Sequence, residues 1–386
     1  MFSLHPLLAA TLCVAALSAA AAPAACVAPS APTDQAAALT QASARLLAGL
    51  APGGVDATRI AEQAFWQAHA RAMDAAWSRT SERHLANWRS FAAREIDAHE
   101  TSHQALFYPF SGPDFIYAHT LFPRARRYLL VGLEAPGAAP RWSAMAAAQI
   151  AASLAQLRQS TATLLDLSFF RTESMKTDLR RGQLTGVAPV LMAMAARSGF
   201  DVHSVDPVYL DEGGALCGGE AGGGRIGGVR LALAEPGSEA LRDLVYLRVD
   251  LGDRALAGMP QFERHVRSLG TGPVFLKAAS YLMHKPGFSA VRGIVLERAA
   301  LVVQDDSGIP FQAFASAQWN GRLFGTYAQP IPMFRVWTQH ALRQAYARDA
   351  RPLDTGIGYS HRRGTSNLQL FEKRSASAMS LRTAMQ

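Results

Sequence analysis

The 386 residues are 49% hydrophobic and 18% charged, with a net charge of +8. That balance excludes a disordered chain, and its basic residues are too scattered to form a nucleic-acid module. The length suffices for one large or two ordinary cores.

Residues 1–25 contain no Lys, Arg, Asp or Glu, and Leu7 to Ala22 is an unbroken run of small and apolar residues. With Ala22-Pro23-Ala24 behind it, this reads as a secretory signal peptide with a small-x-small cleavage pattern. The run is too short and Ala-rich for a membrane span, so no transmembrane helix is expected in the mature chain. Cys26 stands where a lipoprotein cysteine would, but Pro23 occupies the aliphatic position of that motif and disfavours lipidation. Cleavage leaves Cys26 and Cys217, and an oxidising compartment permits a disulfide between them without spacing establishing one. A basic exported protein is also drawn to anionic envelope surfaces.

Residues 26–103 form an N-terminal helical segment. Its apolar stripe includes Ile60, Trp66, Met73, Trp77, Leu85 and Trp88, and Asp56 is a helix N-cap. The α/β core is placed at 104–350. QALFYPF is apolar on both faces, as a buried parallel strand requires. Pro113 suits the first position of the following helix, FIYAHTLF. RRYLLVGLE is the next strand, which makes a right-handed βαβ unit. Residues 142–198 are mostly helical. FDVHSVDPVYL is a strand, and GVRLALAE and LVYLRVD pair as an antiparallel hairpin. MPQFERHVRSL and FSAVRGIVLERA are helices, PVFLKAA and ALVVQDD strands, WNGRLFGTYAQ a late strand or hairpin, and MFRVWTQHALRQAYARD a final helix. Residues 351–386 read as a basic, partly disordered tail. The alternation predicts a mixed, mostly parallel, Rossmann-like α/β sheet flanked by helices.

In such sheets ligands bind beyond the carboxyl ends of the strands. The polar residues following the proposed parallel strands are therefore the site candidates. Ser111, Asp114, His284 and Asp306 are the catalytic candidates, with Gly112, Glu134, Ser280, Tyr281, Asp305 and Ser307 as binding residues. Together they suggest an envelope hydrolase, although no G-x-S-x-G elbow is present and His361 competes with His284 for the base. The alternative is a non-catalytic periplasmic binding or structural protein, in which the same groups only cap turns.

HETSH at His99–His103 matches the H-E-x-x-H zinc pattern, with Glu100 as general base of a metallopeptidase. The adjoining strand would end that helix on its own ligands, and neither Glu134 nor Glu173 is a supported third ligand, so no metal is expected. GGGRIG at Gly222–Gly227 precedes a strand and reads as a flexible loop. The sequence specifies neither cofactor nor partner.

Two resemblances follow from these residues. FYPFSGPDFIYAHTLFPRARRYLLVGLE weakly resembles the opening of class I methyltransferases, with a glycine turn after a strand and an acidic residue about 20 positions on. It has one glycine where that fingerprint has several, so shared topology is what the resemblance implies. PFSGPDF, ASYLMH and QDDSGIP resemble the blocks of an uncharacterised family of exported bacterial proteins. That resemblance spans much of 105–330 and implies export and a shared fold.

Overall fold

A computed structural model describes residues 26–29, 31–97, 105–167, 184–222, 225–315, 317–360 and 364–374. The segment 1–25 read as a signal peptide, HETSH, Glu173 and His361 lie outside the described residues.

The N-terminal segment is helical in pieces: α1 (Asp34–Ala48), α2 (Val55–Ala61), α3 (Ala64–Thr80) and α4 (Ala86–Glu95). Gly49 ends α1 at φ 67°, where its Cβ position lies 2.9 Å from the Ala70 backbone; only glycine lets α1 and α3 approach this closely. Asp56 sits in the first turn of α2 and Gly54 takes the cap position, contrary to the expected Asp56 cap.

The core continues as β1 (Ala105–Tyr108), α5 (Phe115–Leu121), β2 (Arg127–Gly132), α6 (Ala147–Leu167) and α7 (Ala188–Arg197). Next come β3 (Asp201–Leu210), β4 (Leu216–Gly218), β5 (Gly227–Ala234), β6 (Leu241–Arg248), α8 (Asp253–Leu256) and α9 (Pro260–Ser268). It closes with β7 (Gly272–Leu276), α10 (Ser289–Arg298), β8 (Ala299–Gln304), β9 (Trp319–Gly325), α11 (His340–Asp349) and β10 (Asn367–Lys373).

All ten strands form one sheet in the order β4-β3-β5-β6-β2-β1-β7-β8-β10-β9. The middle five, β6-β2-β1-β7-β8, are mutually parallel. Pairings outside them are antiparallel, as is β5 on β6. The sheet is therefore mixed, and the expectation of a mostly parallel sheet is corrected. The long insertion after α7 returns through hairpins, whose short turns dictate antiparallel neighbours.

Period-2 alternation sends side chains to two cores. Leu106, Tyr108, Leu130 and Tyr246 face the helices of the N-terminal segment, α5 and α7. Phe107, Leu129, Val131, Val245 and Val274 face Phe262 and Val266 of α9 and Val291 and Val295 of α10. The N-terminal helices thus cover one face of the sheet.

Two further readings are corrected. The proposed final helix is broken: Pro332–Trp337 is a 3-10 turn, and α11 begins only at His340. The proposed tail supplies β10, inserted between β8 and β9, because Leu368, Leu370 and Phe371 bury apolar area that outweighs the flanking charge. Cys26 and Cys217 form a disulfide that ties the start of the described chain to β4, beside a Gly218 N–H to Val27 carbonyl bond of 2.8 Å. No described helix is long and apolar enough to cross a membrane.

Candidate functional site

The chain winds from β1 to β2 on one side and from β6 across to β7 on the other, so the strand order reverses between β1 and β7. A crevice opens beyond the carboxyl ends of parallel strands at such a reversal. Here it has a volume of about 280 Å³ and is lined by Phe110, Gly112, Gly132, Leu133, Glu134, Asp250, Ala278, Ser280, Leu282 and Phe288, among others.

Gly132 and Gly112 make the floor. A Cβ on Gly132 would lie 2.5 Å from Glu134 Oε2, 2.7 Å from the Tyr246 hydroxyl and 3.1 Å from Gly112 Cα. Glycine is the residue that lets the β1 loop pass this close over β2. Gly112 itself has φ 54°.

Above this floor stands Glu134, 3% exposed. Its Oε2 accepts from Leu133 N–H at 3.1 Å and from the Tyr246 hydroxyl at 2.9 Å. Burial and the Glu134 carboxylate hold that phenol well above its usual pKa, so it remains a donor. Oε1 has no hydrogen-bond partner among the described residues. The backbone N–H groups of Gly112 and Ser280 likewise find no acceptor there. The crevice therefore offers the Glu134 carboxylate and two amide donors within largely apolar walls, with a second carboxylate, the exposed Asp250, whose Oδ1 accepts from Gly252 N–H at 2.9 Å, on its lining.

Its β7 wall is a strained loop. Ala278, Ser280 and Tyr281 have φ of 52°, 54° and 55°, as does Phe110 across the crevice at 60°. Non-glycine residues enter this region at a cost of about 1–2 kcal/mol each, so the surroundings must impose it. They do so through Asp305, whose Oδ2 accepts from Ala278 N–H at 3.0 Å, and through Ser307 Oγ, which accepts from Ala279 N–H at 2.7 Å. The Ser280 and Tyr359 hydroxyls share a hydrogen bond at 2.5 Å.

Behind the loop lies a closed polar network. Asp305 Oδ1 accepts from both Ser307 N–H (3.0 Å) and Ser307 Oγ (2.6 Å). Asp306 accepts from the Tyr281 hydroxyl and, at 2.8 Å, from Asn367 Nδ2, and its own N–H donates to Asn367 Oδ1. Burial, and then the neighbouring Asp306 charge, raise Asp305 to about pKa 7; burial also raises Asp306, against the hydrogen bonds from Tyr281 and Asn367. Asp114 caps α5, accepting from Tyr117 N–H at 3.3 Å and the Tyr108 hydroxyl at 2.8 Å. It pairs at 2.5 Å with Lys277, whose ammonium lies 3.7 Å from the Tyr117 ring centroid. Burial lowers the Lys277 pKa, while Asp114 and Asp305 oppose that shift.

The sequence candidates thus divide. Gly112, Glu134 and Ser280 line the crevice. Ser111 Oγ lies against backbone, accepting from Val131 N–H at 3.0 Å and reaching the Gly112 carbonyl at 2.9 Å. Asp114, Tyr281, Asp305, Asp306 and Ser307 support the loops. His284 packs edge-on against Tyr281 (5.2 Å) and Trp337 (5.8 Å), and burial lowers its pKa to about 4. The helix start at Pro113 does not offer itself to an anion: α5 begins at Phe115 and the Asp114 carboxylate occupies its N-terminus.

Sequence reasoning missed Gly132, Lys277, Asp250, Tyr246 and Asn367. A glycine inside the apolar run RRYLLVGLE and a lysine inside PVFLKAA were available signals. Asn367 lay in the stretch read as tail. Cys26, Asp211 and Cys217 cluster within metal-ligand reach of one another, but both sulfurs are committed to the disulfide.

Comparison with protein-family models, curated proteins and solved structures finds no match.

Proposed function

We propose that this is an exported binding protein that holds a small hydroxylated molecule, of the sugar or nucleoside type, in the crevice between β1 and β7. The observation that carries this is the leftover hydrogen-bonding capacity there: Glu134 Oε1 with the Gly112 and Ser280 N–H groups. A hydroxyl both donates and accepts, so it satisfies this set better than a purely anionic or purely apolar group does. The five parallel strands are read as a Rossmann-like centre, in which an acidic residue at a strand end takes ligand hydroxyls.

This binding reading is preferred to the hydrolase. Ser111, Asp114 and Asp306 spend their side chains on protein groups. A nucleophile and its base should stand within hydrogen-bond reach of each other, and no such bond joins Ser111 to His284. Export is supported by the uncharged apolar leader and the Cys26–Cys217 disulfide. The same disulfide occupies the sulfur that lipidation would need. Amino-terminal sequencing of envelope protein should begin near Ala25 or Cys26, whereas an intact Met1 in cytoplasm would overturn export.

A ligand screen tests the binding reading. The purified protein is titrated with nucleosides, monosaccharides and polyols, and thermal unfolding is followed. At least one class should raise the unfolding temperature of the parent and not of Glu134→Ala. If none does, or if Glu134→Ala responds like the parent, the proposal fails.

A further inference from the structure

The turn Pro332–Trp337 is a 3-10 helix, in which side chains at i and i+3 eclipse one another. Two apolar pairs follow from that geometry. Phe334 and Trp337 form the inner pair. Phe334 packs on Tyr281 at 5.0 Å and on Tyr359 at 5.1 Å, while Trp337 meets His284 at 5.8 Å. Met333 and Val336 form the outer pair, and they are 79% and 82% exposed, the two most exposed large hydrophobic residues among those described. The aromatic anchors thus hold an apolar ridge out into solvent, seated through Phe334 on Tyr281 of the loop that walls the crevice.

The stretch of chain that carries this ridge has charge of one sign. From Ser307 to Arg348 the sequence contains no Asp or Glu, but it contains Arg322, Arg335, Arg343 and Arg348. Arg322 is paired with Glu95 and Arg348 with Asp349. Arg335, on the turn itself, and Arg343, on α11, make no ion pair among the described residues. An apolar ridge with Arg335 on the same turn and Arg343, which contacts only His340 Nδ1 at 3.2 Å and no carboxylate, on the next helix matches the interface of an anionic bilayer, where methylene groups enter the acyl boundary and cations meet headgroup phosphates.

We propose that Met333 and Val336, with Arg335 and Arg343, dock this protein on an anionic membrane surface, and that the crevice loop faces that surface. The partner is a lipid bilayer. A convex ridge of two side chains enters a fluid interface without a complementary groove, which a protein partner would have to supply.

Vesicle co-sedimentation tests this with the purified full chain, disulfide intact. Vesicles of phosphatidylcholine alone are compared with vesicles containing phosphatidylglycerol at one-third. An apolar leader would bind both kinds, so the readout is the anionic increment. The parent should show that increment, and it should fall as salt is raised. Met333→Ser/Val336→Ser should reduce it by roughly tenfold, as expected for withdrawing several methylene groups from the interface. Arg335→Gln should reduce it by about fivefold, the worth of one cation near such a surface. These side chains are exposed, so the thermal unfolding of both variants should match that of the parent. An absent increment, or one that the double serine variant keeps in full, overturns the proposal. So does a parent that self-associates through the ridge while the serine variant is monomeric.

Discussion

Two neighbouring regions on one sheet edge carry similar residue types and differ in what is left over. Beyond β8 and β7, Asp305 and Ser307 bond each other and the loop backbone, Asp306 accepts from Tyr281 and Asn367, and Lys277 forms an ion pair with Asp114. Beyond β2 and β1, Glu134 and Gly112 keep an oxygen and an amide free at the edge of a crevice. Both regions are buried and both contain carboxylates, so neither residue type nor burial separates support from site. What differs is where capacity stays open: Glu134 keeps a carboxylate oxygen at the crevice wall, where a ligand hydroxyl or water can reach it, whereas the buried atoms left without a hydrogen bond near β7, Lys277 Nζ and His284 Nε2, are enclosed by protein.

Substitutions should break the two regions differently. The largest effect is expected at Asp306→Ala, which leaves the Tyr281 hydroxyl and Asn367 amide buried without their acceptor. Stability should fall by about 3 kcal/mol, seen as a shifted midpoint in urea. A variant of near-parental stability would show that the network is not holding the loop.

Asp305 sharpens the contrast through pH. Its carboxyl is raised to about 7 when folded, against about 3.9 in an unfolded chain, so the native state keeps a proton that the unfolded state loses. Its contribution to stability is complete below pH 4 and is lost as pH rises towards 7. His69, His119 and His284, each lowered to about 4 by burial, act in the opposite sense and add stability from pH 4 to 6.5. Asp305→Asn should therefore climb more steeply than the parent across this window, by a few kcal/mol at most. Parallel profiles would show that Asp305 keeps no extra proton in the folded state.

At Gly112→Ala the new Cβ would stand 3.8 Å from Glu134 Oε2, so the cost is the left-handed backbone, about 1–2 kcal/mol. Ligand affinity should fall as well, because the methyl group enters the crevice. Glu134→Ala should have the smallest effect on folding, under about 1 kcal/mol, because the Tyr246 hydroxyl can turn to the Glu134 carbonyl at 3.1 Å. Its effect should appear in binding instead, as a loss of tenfold or more. A Glu134→Ala protein that unfolds readily would place this carboxylate with the supports.

Much of the sheet was legible because its cause is local. ALFY, RYLLVG and ALVV are apolar on both faces, and that pattern belongs to strands covered on both sides. The switch-point edge then followed, and with it Gly112, Glu134 and Ser280. β10 was hidden because Lys373 and Arg374 flank a strand whose burial depends on β8 and β9, far away in sequence. The break before α11 was hidden because MFRVWTQHALRQAYARD keeps a helical period through Thr338 and Gln339. The division of carboxylates between support and site was not legible at all, since it turns on partners such as Tyr246 and Asn367 that the chain brings from 112 and 61 residues away.

The most direct test of the central claim is a crystal structure after soaking with the hydroxylated compounds that stabilise the protein. Density is expected between Gly112, Glu134 and Ser280, with a ligand hydroxyl within about 3 Å of Glu134 Oε1. An empty crevice, or a ligand bound instead against Asp306 and His284, would contradict it.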